Sequence, residues 1–357
     1  MSTDALVLVR REGAISHITL NRPRAINALN LEMFEALTVA VAPEAVGDAT
    51  AILLDGAGER GFCGGGDVKE IVSGDSFKIL STEYRLDYAI AQSAVPVVAI
   101  MDGIAMGGGI GLGGHAAHRI VTERSRLALP EVRIGIVPDV GGHLLLAHAP
   151  GRLGELLAIT AGELTAGDAI ALGFADHFVP SNKLEALRVA LSEGVDPAAA
   201  IAEVAETAPE SGLLAARGWW DPIAEGALEG AEASAEAALD ATIRLLRVLE
   251  ADGGAEATQL LETVRGMCPT SVVVTLAQVA RTRALGLDLA EVLEDDLRVV
   301  VRIGQCPDFA EGVRAQVIDK DRSPKWQPSR IEDLDPAEVA AILAPHHPDE
   351  GKLGLAP

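Results

Sequence analysis

The chain has 357 residues, 49% of them hydrophobic, and its 52 acidic against 29 basic side chains give a formal charge of −23. That apolar share excludes a disordered chain, and an acidic balance without a basic stripe excludes nucleic acid as a general partner. No apolar run reaches the ~18 residues of a spanning helix and no basic-then-apolar leader opens the chain, so no membrane partner is expected and the location reads as cytoplasmic.

Residues Ala5–Arg11 and Ala14–Leu20 flank Glu12-Gly13 and predict a β-hairpin. Leu31–Val46 has helical apolar spacing at Met33, Leu37, Val41 and Ala42. A strand over Ala51–Leu54 leads to a glycine loop and a helix over Val68–Val72, and another helix covers Leu80–Gln92. The strand Val95–Ile100 ends near Gly107-Gly108-Gly109, which opens a further helix. Short strands follow at His118–Thr122 and Arg126–Leu129. Pro138 is expected to open a helix that runs through His148. Helices over Gly151–Thr160 and Thr165–Leu172 precede a strand at His177–Val179.

Such strand–helix units joined by glycine turns define a layered α/β core. Beyond residue 190 Ala and Glu dominate, and helices are expected over most of 195–250, Val272–Ala284 and Leu287–Cys306. The expected division is therefore a core over 1–190 and a helical region over 191–357 that caps it. Trp219-Trp220 reads as packing within that cap rather than a partner patch.

Two glycine runs carry the chemistry. One is Gly61-Phe62-Cys63-Gly64-Gly65-Gly66-Asp67, the other Gly107-Gly108-Gly109, and each follows a strand and precedes a helix. Neither fits a dinucleotide fingerprint or a P-loop. Two loops that each offer a backbone N–H to one oxygen make an oxyanion hole. Two carboxylates stand out beside them. Glu131 lies in the apolar stretch Leu127–Val137, where a charge needs a purpose or a partner. Asp139, after Pro138, reads as lying at a helix start, which would keep it ionised. His115 and His118 read as satisfied or solvated rather than catalytic, and Cys63 as a nucleophile lacks a visible His partner. Cys63, Cys268 and Cys306 have no metal-ligand spacing and no disulfide arithmetic, so no metal and no cofactor are expected.

These runs resemble the crotonase superfamily of CoA-thioester enzymes. The resemblance spans Ile18–Pro23, Asn27–Asn30, Phe62–Asp67, Gly103–Gly109, Leu129–Glu131 and Gly135–Gly142. Asp308–Ala315 and Asp319–Trp326 resemble the branch that hydrolyses 3-hydroxyisobutyryl-CoA in valine degradation. The resemblance implies a spiral of ββα turns, and an acyl-CoA as substrate with CoA as part of it. It implies that Gly66 and Gly108 supply the oxyanion amides, that Glu131 and Asp139 are catalytic, and that Glu83 binds substrate. Arg22 and Arg24, or Lys320, Arg322 and Lys325, are the candidates to hold CoA phosphates.

Hydratases of the superfamily carry a second glutamate where this chain has Gly111, which disfavours hydration. The expected reaction is hydrolysis of a short β-hydroxyacyl-CoA, with Glu131 as nucleophile or general base. The alternatives are an enoyl- or dienoyl-CoA isomerase or hydratase, and a CoA-binding protein without activity. A homo-oligomer is an open expectation.

Overall fold

A computed structural model describes residues 5–355. Contacts divide the chain into two compact units, one built from residues up to 128 with 163–212, the other from 129–162 with those from 213 onward. The units thus interleave along the chain, whereas composition places a single change near residue 190.

All the strands of the described residues lie in the first unit. The hairpin is β1 (Val7–Glu12) and β2 (Ile15–Leu20), paired from Val7↔Leu20 to Glu12↔Ile15. Next come β3 (Ala51–Gly56), β4 (Gly61–Cys63), β5 (Val97–Met101), β6 (Ile104–Met106), β7 (His118–Val121), β8 (Arg126–Ala128), β9 (Glu163–Leu164) and β10 (His177–Phe178). A six-stranded sheet has the order β1-β2-β3-β5-β7-β10, and a four-stranded sheet the order β4-β6-β8-β9.

The pairs β3/β4, β5/β6 and β7/β8 each send one strand to the first sheet and the next to the second. A helix follows β4 at Val68–Ser73 and β6 at Gly108–Gly114. This is the expected ββα spiral. Its central strands are parallel and buried on both faces, so Val97–Met101 reads as an unbroken apolar run. The core packs Ile15, Leu53, Val98 and Ile120 against Leu184, Leu187 and Leu191 of the Leu184–Ser192 helix.

The second unit is helical throughout the described residues. Its middle is the Pro269–Leu285 helix, buried at most positions from Pro269 to Val279. Trp220, fully buried, donates its indole N–H to the Arg152 carbonyl at 2.5 Å, so it packs inside this unit.

Two expectations are corrected. The Leu31–Val46 segment breaks at Ala42, which is extended because Pro43 follows, leaving helices Leu31–Val41 and Pro43–Val46. Pro138 does not open a helix. The helix is Gly142–His148, and a turn with Val140 at φ 54° and Gly141 at φ 75° precedes it. Asp139 therefore sits in that turn and not in the first turn of a helix.

Candidate active site

The first unit brings the two glycine loops together. Asn27 is fully buried, and its amide donates to the carbonyls of Ala57, Gly61 and Phe62. Two bonds then clamp the Gly64–Asp67 loop to Leu29: Leu29 N–H to Gly65 O at 2.8 Å and Asp67 N–H to Leu29 O at 2.6 Å. Gly65 holds φ 93° and Gly107 φ 48°, backbone that glycine adopts without strain. The Gly66 N–H takes no part in the Leu29 bridge. Gly108 is the first residue of its helix, so its N–H has no partner within that helix. A Cβ on Gly108 would stand 3.3 Å from the Gly66 nitrogen, so the two amides are neighbours.

Two carboxylates border these loops from the Ser76–Ala91 helix. Glu83 is 3% exposed, and a Cβ on Gly108 would collide with its Oε1. Asp87, one helical turn on, is fully buried. Its Oδ2 lies 2.6 Å from where a Gly111 Cβ would stand. Gly111 itself carries no acid, as the sequence has it, and the space its side chain would enter is taken by Asp87 from a different helix. The i, i+4 spacing of Glu83 and Asp87 on an otherwise apolar face was the available signal. Cys63 lies beneath the loop, and burial pushes its thiol up to about 12, with the charges of Glu83 and Asp87 adding to the rise. It is not a thiolate nucleophile. His118 stands 6.0 Å from His177 ring to ring, and burial lowers its pKa.

The second unit holds Glu131 and Asp139. Glu131 opens a 3₁₀ turn, Glu131–Arg133, and is 4% exposed, with no hydrogen bond to its Oε2 among the described residues. Burial raises its pKa well above the usual carboxylate range, and the charges of Asp139 and Asp296 raise it further. Asp139 is also buried.

The C-terminal motif builds this turn. Gly135 lacks a Cβ where the Asp308 carbonyl would lie 2.5 Å away, and Gly312 lacks one where the Ile134 carbonyl would lie 2.3 Å away. The Pro307–Val313 helix thus lies backbone-close against residues 134–135. Asp308 accepts from the Gln327 N–H at 2.9 Å and pairs with the Cys268 thiol, while the Cys268 N–H donates to Val132 O.

The candidate CoA cations are placed less tellingly. Arg22 is engaged by Asp67 Oδ2 at 2.8 Å and by the Ala28 carbonyl. Arg24 is exposed in the first unit; Lys320, Arg322 and Lys325 are exposed in the second. Sequence reasoning also missed His143 and Asp296. Both are buried, with His143 Nε2 3.0 Å from Asp296 Oδ1. No local signal marks a pair so far apart in the chain. Among the described residues no group of His, Cys, Asp and Glu could hold a metal, and no helix is long and apolar enough to cross a membrane.

A ββα spiral with paired glycine-loop amides defines an enzyme class that handles acyl-CoA thioesters, and the comparisons agree. Residues 15–343 match the enoyl-CoA hydratase/isomerase family, and the chain belongs to that family. It is 35% identical to the mitochondrial 3-hydroxyisobutyryl-CoA hydrolase of Gallus gallus, over 97% of this chain and 91% of that one. It is 37% identical to the Rattus norvegicus protein of the same name, over 92% and 86%. A solved structure named as a carnitinyl-CoA dehydratase from Mycobacterium thermoresistibile aligns with a TM-score of 0.85 at 36% identity, covering 98% of each chain.

Proposed function

We propose that the chain hydrolyses 3-hydroxyisobutyryl-CoA to the free acid and CoA. The observation that carries this reading is its likeness, over nearly its whole length, to hydrolases of that name. The C-terminal motif that shapes the Glu131 turn supports it.

In this reading Gly66 and Gly108 donate their N–H groups to the thioester oxygen as it becomes negative; one such donor is worth roughly 2.7–4 kcal/mol. Glu131 loses its proton and then acts. It either attacks the carbonyl carbon to give an acyl anhydride that water opens, or takes a proton from an attacking water. The C–S bond breaks and the CoA sulfur leaves with a proton. Asp139 orients the substrate or supplies that proton. Glu83, beside Gly108, receives the substrate hydroxyl. Arg22 and Arg24, with Lys320, Arg322 and Lys325, are the cations offered to the CoA phosphates, and an acidic protein needs such local offsets. The chemistry asks for no metal or redox cofactor.

A role in valine degradation and a cytoplasmic location belong to the same proposal, although the relatives are named as mitochondrial. So does a homo-oligomer, which light scattering would measure.

The test is thiol release from 3-hydroxyisobutyryl-CoA and 3-hydroxypropionyl-CoA, read beside loss of enoyl absorbance from crotonyl-CoA. Release of thiol from the hydroxyacyl substrates with little enoyl loss is the expected pattern. Fast enoyl loss without thiol makes the chain a hydratase, with Asp87 or Asp139 as the second acid.

A further inference from the structure

Asp139 lies in a turn that the chain does not adopt cheaply. Val140 holds φ 54°, which a β-branched residue rarely does, and such strain costs of order ~1–3 kcal/mol. Strain of this kind persists only where the surroundings over-determine it. Here the next residue is pinned: the Gly141 N–H donates to Asp296 Oδ2 at 2.9 Å, a buried bond that spans 155 positions. Asp296 is fully buried on the Leu289–Ile303 helix. Its other oxygen faces His143 Nε2 at 3.0 Å, and His143 Nδ1 meets the Thr282 hydroxyl at 2.8 Å. His143 itself lies on the helix that follows the turn. Asp296 therefore ties the turn through Gly141 and faces the helix that follows it through His143.

We propose that Asp296, held by His143, is a positioning residue for the reaction: it fixes the turn that carries Asp139 and sets the negative field under which Glu131 exchanges its proton. The assignment rests on the hydrolase reading. The groups involved are few. Burial raises the Glu131 pKa, and the charges of Asp139 and Asp296 raise it further. His143 faces Asp296 and Asp295 from one helix and Arg281 from another. Asp295 is itself taken up by Gln278, Arg281 and Arg298. Asp308, on the Pro307–Val313 helix, is engaged by Gln327 and Cys268. Asp296 is thus the carboxylate left to act on both the turn and Glu131. Burial raises its own pKa while the His143 charge opposes that rise.

The experiment measures kcat against pH, by thiol release from 3-hydroxyisobutyryl-CoA, for the wild type, Asp296→Asn and Asp296→Leu. Asn keeps an acceptor for the Gly141 N–H but removes a charge that raises the Glu131 pKa. Its acid limb should move to lower pH by ~0.5 unit or more. Leu removes the acceptor as well, and its kcat should fall ~10-fold below that of the Asn variant, with little change in KM. Should Asp296→Asn fold poorly, the His143→Gln/Asp296→Asn double variant keeps a neutral buried pair and should show the same limb shift. A wild-type limb retained in a folded Asn or double variant overturns the assignment. A wild-type chain that releases no thiol overturns the hydrolase reading and the assignment with it.

Discussion

Gly108→Ala tests the oxyanion reading through a single methyl group. The substitution leaves the Gly108 N–H in place, so any loss must come from where the methyl stands. It would lie 3.3 Å from the Gly66 nitrogen and 3.3 Å from Leu29 Cδ1, and it would collide with Glu83 Oε1. The methyl therefore covers the Gly66 donor and drives Glu83 aside. Loss of one such donor costs roughly 10²–10³ in kcat. Overpacking a filled site costs typically ~1–3 kcal/mol of stability, which has to be separated from the catalytic loss. Gly109→Ala provides that separation. Its methyl would press on Cys63, 2.8 Å from the carbonyl oxygen and 2.9 Å from Cβ, and the Gly66 nitrogen is not among its nearest atoms. The assay is thiol release at saturating 3-hydroxyisobutyryl-CoA, alongside thermal melts of both variants. The expected result is a similar loss of Tm in both, with the large fall in kcat confined to Gly108→Ala. A folded Gly108→Ala variant that turns over at the wild-type rate would refute the placement of the thioester oxygen between these loops.

Glu131→Gln should lower kcat by at least ~10²-fold with CoA affinity nearly unchanged, measured by turnover and by CoA binding, because it removes a chemical group but little volume. In the wild type, kcat should rise with pH along a limb centred well above the usual carboxylate range, since burial and then Asp139 and Asp296 raise the Glu131 pKa; a limb near pH ~4 would contradict that environment. Gly312→Ala should lower both Tm and kcat, because the added methyl meets the Ile134 backbone; a melt and a turnover assay that match the wild type would show that this packing does not shape the Glu131 turn. Burial opposes the charge on His17, but Asp55 at 3.0 Å and Glu12 at 3.2 Å outweigh it and the pKa is raised. That contribution is full below the unfolded value of ~6.5 and is lost as pH rises through the folded value, so Tm should drop more between pH ~6 and ~8 in the wild type than in His17→Gln.

The parts of this molecule that could be read from sequence are those whose cause is local. Gly65 and Gly107 signal themselves because positive φ is a demand on one residue, and the run Val97–Met101 because a strand buried on both faces has no polar side to show. Glu131 was visible against its apolar flanks for the same reason. Asp139 was misplaced because Pro138 is an ordinary helix opener, and nothing in a propensity would place Val140 in the left-handed region. Asp296, which accepts from the next residue's N–H, lies far downstream in the sequence. Asp87 was hidden behind Gly111: the empty position was legible, but the side chain that occupies its space comes from another helix. Arg22 was legible as a candidate phosphate ligand because its charge is local information, while its engagement with Asp67 is not.

The close approach of Gly312 to Ile134 and of Asp308 to Gly135 bears on the order in which the protein becomes competent. The segment that carries Glu131 leaves the ribosome long before the helix it must lie against. Until Pro307–Val313 has been made, residues 134–135 lack the surface that shapes them. The strands and glycine loops are encoded within the first 212 residues, ahead of that helix. A chain stalled or cleaved ahead of residue 307 would then carry residues 134–135 without the backbone they lie against. The shape of the segment that carries Glu131 is thus completed only when the last part of the chain is made.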